Sequence, residues 1–227
     1  MSQYRTLRIL TIAAAFTQTG APIVVLLGGI VGAAIAPSPG LATLPIAFMI
    51  TGTASTTIPA ALFMGEFGRK AGFMFGASYA CLAGFIGAYT IGVENFSLFC
   101  LSTYLVGSHN AFVQQYRFAV AESVPGDKVG KSLSILMLAG VAAALMGPEA
   151  AQRFREVSEM AEFAGSFLGL SGFMVIALVL LSFYRNMETN EDDSDDHERA
   201  LITIVRNLMV ILAICSAVAA WCVMSLF

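Results

Sequence analysis

Residues 59–76 read PAALFMGEFGRKAGFMFG, a short charged turn between two apolar segments. Glu66, Arg69 and Lys70 carry the charges of the turn, and each flanking segment is long enough to cross a bilayer. Adjacent cations beside a hydrophobic span favour the cytoplasmic side of a membrane. We therefore expect this turn to lie inside the cell, with the neighbouring segments threaded alternately outward and inward.

The composition of the whole chain agrees with a membrane location. Of its 227 residues, 57% are hydrophobic and only 12% are charged, whereas about a quarter of the residues in a soluble domain are charged. The mean hydropathy is +0.78, so the sequence predicts an integral membrane protein. A nucleic-acid partner is not expected, because the net charge is −3 and the Lys and Arg residues are dispersed.

Apolar runs of about twenty residues mark the expected membrane spans, because a helix needs that length to cross roughly 30 Å of hydrocarbon. Such runs occur at 9–31, 41–64, 72–93, 96–116, 132–149, 163–184 and 203–227. They are too long and too uniformly apolar for the alternating strands of a membrane barrel, so the predicted fold is all-α and polytopic.

An acidic segment, 185–200, separates the first six spans from the seventh. A block of like charge repels itself, so we interpret this segment as a solvated cytoplasmic linker. It lacks the spaced ligands and the central Gly of an EF-hand loop, and we predict no metal site there.

The distribution of cations predicts the orientation of the chain. With the N-terminus inside, ten of the twelve Lys and Arg residues fall on the inner side, and only Arg153 and Arg155 fall outside. The expected location is therefore the cytoplasmic (inner) membrane, with a cytoplasmic N-terminus.

Polar side chains near the middle of the predicted spans are the candidate functional residues. Gln18 of span 1 and His109 and Asn110 of span 4 lie near the midplane, and Gln114 continues the polar stripe one turn further. Polar groups at that depth need either a partner helix or a water-filled cavity, and both interpretations remain open. His109 is also a candidate proton carrier, because imidazole titrates near neutral pH.

Two other stretches predict features of helix packing. The small and hydroxyl residues of TGTASTT (51–57) favour close contact between helices. In span 5, Gly147 and Pro148 predict a kink, since proline lacks the amide hydrogen that a helix interior uses. Glu149 follows them, and it either faces an outer vestibule in its charged form or carries a proton.

The sequence contains no pattern typical of an enzyme. HExxH, GxSxG and P-loop motifs are absent, and the four cysteines form no CxxC pair. Seven predicted spans also suggest a retinal-binding photoreceptor, which needs a lysine in its last helix for the Schiff base. Residues 201–227 contain no lysine, so this class is excluded. We therefore predict neither an enzyme nor a protein with a cofactor.

The turn between spans 2 and 3 resembles the signature loop of the major facilitator superfamily (MFS) of secondary transporters, GxLaDRxGRK. Gly68, Arg69 and Lys70 match its closing GRK, whereas its first Gly, its Asp and its Arg are replaced by Ala61, Gly65 and Glu66. In span 5, Gly147 and Pro148 resemble the central GP of the GxxxGPxxGG motif of proton-coupled antiporters, and Ala143 and Ala151 occupy two of its glycine positions.

This resemblance implies a fold of twelve helices in two halves around a midplane site. The chain would then comprise a six-helix N-terminal half at 1–184, the cytoplasmic linker at 185–200, and the first helix of a second half at 201–227. On this interpretation we expect a truncated product or a fragment.

The function implied is transport of a small solute by alternating access, with protons as a candidate coupling ion and membrane lipid as the surroundings. Solute binding is the role implied for Gln18, His109, Asn110 and Gln114. The implied gating loop consists of Gly68, Arg69 and Lys70, and the implied helix kink lies at Gly147 and Pro148. The alternative is a non-transporting seven-helix protein, either a receptor or an assembly partner, or an inactive truncated transporter.

Overall fold

The computed structural model describes residues 2–155 and 161–184. Their α-helices are α1 (Ser2–Thr17), α2 (Gly20–Ile35), α3 (Leu44–Gly92), α4 (Phe96–Gln114), α5 (Tyr116–Glu122), α6 (Val129–Arg153) and α7 (Ala164–Ser182). Short 3-10 turns occupy Pro39–Leu41 and Gly126–Lys128. The predicted linker at 185–200 and the predicted seventh span lie outside the described residues.

The first predicted span, expected as one helix, is divided into α1 and α2 at Gln18 and Thr19. Pro22 has no amide hydrogen, so the carbonyl of Gln18 loses its helical donor four residues on. The amide of Thr19 instead donates to the carbonyl of Phe16 at 3.2 Å, and the Thr19 hydroxyl donates to the same oxygen at 2.7 Å. The break therefore falls in the polar stretch at the middle of the span.

Helix α3 contains the charged turn and is in fact a pair of helices. Gly68 has φ 85° and ψ 160°, a conformation that favours glycine, and it separates a first arm (44–67) from a second arm (69–92). The rings of Phe63 and Phe75 stack at a centroid distance of 5.1 Å, so the arms fold back on each other. The predicted turn between spans 2 and 3 is therefore confirmed.

Four helical stretches within the described residues are long and apolar enough to cross a membrane: Thr6–Ile35, Pro39–Gly92, Gly126–Arg153 and Ala164–Ser182. The second has 54 residues, sufficient for the two crossings that Gly68 separates. No strand occurs among the described residues. The fold is thus all-α and polytopic, as the sequence predicts.

Helix α4, the fourth predicted span, is not one of these four stretches, because polar residues lower its hydropathy. Four of them, Ser102, Thr103, Ser108 and His109, are nonetheless buried. Ser102 donates to the carbonyl of Ala83 in the second arm at 2.8 Å. A neighbouring helix thus satisfies the Ser102 hydroxyl, which lipid could not.

The first arm of α3 and helix α4 approach each other through glycines. A Cβ on Gly107 would overlap the backbone carbonyl of Met49, and a Cβ on Gly52 would overlap that of Tyr104. The hydroxyl of Thr53 donates across this contact to the carbonyl of Gly107 at 2.9 Å. These contacts support the packing interpretation of the 51–57 stretch.

Candidate functional site

A cavity of about 420 Å³ lies where the α1–α2 break, α4 and α6 meet. Its lining consists of Gln18, Asn110, Val113, Gln114, Tyr116, Arg117, Leu133, Leu136 and Met137. This volume is within the range of small-molecule sites, which combine apolar walls with a few polar groups. The fold therefore brings three of the four predicted solute-binding residues into one place.

Gln18 reaches the cavity from the break in span 1. Its side chain extends to α6, where a Cβ on Gly140 would lie 2.9 Å from the Gln18 Oε1 atom. A larger residue at 140 would therefore displace this amide. Gln18 and Asn110 have no hydrogen-bond partner for their side chains within the described part of the chain, so both amides are available to a solute.

The charged group of the cavity is the guanidinium of Arg117. Its Nη2 atom donates to Oε1 of Gln114 at 2.7 Å, and its Nε atom donates to the Gln114 carbonyl at 3.2 Å. No carboxylate lines the cavity among the described residues. The site is thus electrostatically suited to a neutral or an anionic solute.

His109, the fourth predicted binding residue, lies outside the cavity lining and is only 3% exposed. Its Nδ1 atom is 2.8 Å from the carbonyl oxygen of Gly76, and its Nε2 atom is 3.2 Å from that of Thr17. The imidazole therefore links α4 to the second arm of α3 and to the end of α1. These contacts agree with one of the two interpretations of the midplane polar residues, in which a partner helix rather than a water-filled cavity satisfies them.

The predicted gating loop is tied to two other helix ends. Arg69 forms a two-point ion pair with Glu122 at the end of α5, with Nη2–Oε1 at 2.5 Å and Nε–Oε2 at 3.2 Å. Lys70 Nζ donates to the carbonyl of Ser182, the last residue of α7, at 2.7 Å. Glu66, in contrast, is exposed. The turn therefore connects spans 2 and 3 to the ends of spans 4 and 6.

Helix α6 continues through Pro148, so its predicted kink stays a prediction. Gly147 packs against the break in span 1, because a Cβ there would lie 2.9 Å from Pro22 Cβ and 3.3 Å from the Thr19 carbonyl oxygen. Glu149 is exposed and forms an ion pair with Arg153 at 2.7 Å. Of the two interpretations of Glu149, the exposed charged form agrees with this geometry.

Sequence reasoning did not identify several residues that build the site. Tyr116 lines the cavity and stacks on Phe73 at a centroid distance of 4.1 Å, although an aromatic residue near a span end has no distinctive pattern. Glu122 pairs with Arg69 across 53 positions of sequence. The sequence offers one signal for this ion pair. Glu122 is an acidic residue near the end of span 4, and Arg69 belongs to a cationic turn.

Comparison with known proteins finds a similarity to the riboflavin transporter RfnT of Brucella anthropi. The two sequences are 37% identical over 223 residues, which make up 97% of this chain and 56% of the relative. No protein-family model matches the chain, and no solved structure matches it. Nearly the whole chain is therefore similar to a curated membrane transporter, of which it spans about half the length.

Proposed function

We propose that this chain forms part of a multi-pass membrane transporter that moves a small solute by alternating access. The observation that carries the proposal is the cavity in which Gln18, Asn110 and Gln114 meet. Polar residues inside a membrane bundle favour a solute pathway, because they are costly there unless a cavity or partner satisfies them. The similarity to a riboflavin transporter supports the same conclusion.

The finer assignment in this proposal is an MFS-type half with a cytoplasmic N-terminus in the inner membrane. Residues 1–184 would be the six-helix N-terminal half, 185–200 the linker, and 201–227 the first helix of the second half. The structural support is the turn at Gly68, whose next two residues, Arg69 and Lys70, bind the ends of α5 and α7. In this scheme the turn holds the inner ends of the helices together while the halves rock.

Riboflavin or a related flavin is the solute class that we propose. A flavin presents carbonyl oxygens and an imide N–H along one ring edge, and carboxamides such as Gln18 and Asn110 can both accept and donate. Leu133, Leu136 and Met137 supply apolar surface for a flat ring on another side of the cavity. The absence of carboxylates from the described lining also agrees with this class.

Proton coupling through His109 is part of the proposal. A neutral imidazole donates one hydrogen bond, whereas the protonated ring donates two. Both nitrogens of His109 face carbonyl oxygens, so gaining a proton would strengthen the contact with either Gly76 or Thr17. Thr17 immediately precedes Gln18 at the α1–α2 break, so protonation of His109 would change the position of the Gln18 side chain in the cavity.

The test is uptake of radiolabelled riboflavin by membrane vesicles from cells that express the complete transporter of which we propose this chain forms part. We expect saturable uptake above that of vesicles without the protein, and a KM several-fold higher for Gln18→Ala. Ser134→Ala is the matched control, because Ser134 is an exposed residue of α6 that bonds within its own helix. Wild-type protein that is present in the membrane but gives only background uptake would contradict the proposed solute.

A further inference from the structure

A second cavity, of about 480 Å³, lies between α1 and the beginning of α6. Among the described residues, none lines both this cavity and the cavity around Gln18. Its lining consists of Leu7, Arg8, Thr11, Ile12, Lys128, Lys131, Ser132 and Ile135. The proposed transport function makes no use of this site.

The second cavity has a strongly positive character. Arg8, Lys128 and Lys131 converge on it from three different elements, and no carboxylate is among the described residues that line it. Asp127, the acidic neighbour of Lys128, is exposed and stands outside the lining. Three cations around one concavity raise the local concentration of anions.

The N-terminus of α6 adds to this positive character. Helix α6 has 25 residues and begins at Val129. The first amide groups of a helix lack intrahelical acceptors and carry a partial positive charge, so they favour an anion. A helix end and a cation cluster thus coincide at one cavity.

A buried hydroxyl group provides an independent observation. The Oγ1 atom of Thr11 is buried and has no hydrogen-bond partner within the part of the chain that the structure describes. An unpaired buried hydroxyl is costly, and Thr11 is one of the residues that line this cavity. The same cavity has an apolar side formed by Leu7, Ile12 and Ile135.

We propose that this cavity binds a phosphate group, supplied either by the headgroup of an anionic phospholipid or by a soluble phosphate ester. Phosphate offers several strong acceptor oxygens to Arg8, Lys131 and the start of α6. Basic cavities between transmembrane helices are suited to anionic lipid headgroups, and the apolar side would accommodate part of an acyl chain. A soluble phosphate ester would use the cationic side alone.

The experiment uses the full chain purified in detergent and has two arms. In the first, native mass spectrometry compares the retention of phosphatidylglycerol with that of zwitterionic phosphatidylcholine. In the second, melting curves compare inorganic phosphate with chloride at equal ionic strength. The test variant is Arg8→Gln/Lys131→Gln, and the control is Arg153→Gln, which removes a cation at the opposite end of α6.

We expect wild type and the control to bind the phosphate-bearing probe, and each cation removed to weaken that binding about fivefold. Loss of phosphatidylglycerol in the double variant identifies a lipid as the source. Loss of stabilisation by inorganic phosphate, with lipid retention unchanged, identifies a soluble ester. If the double variant behaves as wild type in both arms, the proposal is wrong.

Discussion

The Nε2 atom of His109 lies 3.2 Å from the carbonyl oxygen of Thr17, the last residue of α1. Carbonyl groups at the end of a helix lack intrahelical donors, so the Thr17 carbonyl is an acceptor for the imidazole in the tautomer that carries its proton on Nε2. His109 also contacts the carbonyl of Gly76. One buried side chain therefore connects three membrane segments beside the proposed solute cavity.

The first prediction concerns the structural role of His109. His109→Ala removes the donor that serves one of two buried carbonyl groups, that of Gly76 or that of Thr17, and should lower the free energy of unfolding by about 1–3 kcal/mol. Thermal melting in detergent measures this change, and the exposed Ser134→Ala variant serves as the control. A melting temperature equal to that of wild type would show that the contact contributes nothing to stability.

The second prediction separates proton coupling from that structural role. If His109 carries the coupling proton, His109→Ala should abolish riboflavin uptake driven by a pH gradient and spare exchange across the membrane in the absence of a gradient. Because exchange needs a folded protein, it controls for the loss of stability. Gradient-driven uptake equal to that of wild type would rule out His109 as the proton carrier.

The third prediction concerns the ion pair between Arg69 and Glu122. The side chains are 27% and 51% exposed, so water screens their attraction. We expect Arg69→Gln and Glu122→Gln each to cost at most about 1 kcal/mol of stability. The double variant should cost no more than either single one, and the differences should shrink at high salt. Strictly additive losses in this double-mutant cycle would be evidence against a direct interaction.

The fourth prediction tests the close contact of the first arm of α3 with α4. Gly107→Ala would force a methyl group into the backbone of Met49, and such overpacking costs about 1–3 kcal/mol. Gly29→Ala is the matched control, because a Cβ there meets nothing within 4 Å and alanine favours the helix. Thermal melts of the two variants should shift in opposite directions. Equal melting temperatures would contradict the close approach.

Part of the candidate site could be predicted from the sequence. The depth of Gln18, Asn110 and Gln114 follows from the helical rise and the length of each span, and the structure places all three in one cavity. The contribution of α6 to that cavity had no comparable signal. Leu133, Leu136 and Met137 resemble any other apolar residues of a span, because hydropathy does not record which way a helix face points.

Hydropathy and charge by themselves determined the all-α polytopic fold, the sites of the membrane-capable helices and the charged turn at Arg69. These properties are local, since about twenty consecutive residues decide whether a helix can cross a bilayer. Only the tertiary structure decided which polar groups meet. The ring nitrogens of His109 face the backbone carbonyls of Gly76 and Thr17, which are 33 and 92 positions away. A carbonyl is common to every residue, so such partners become identifiable only when the helices have packed.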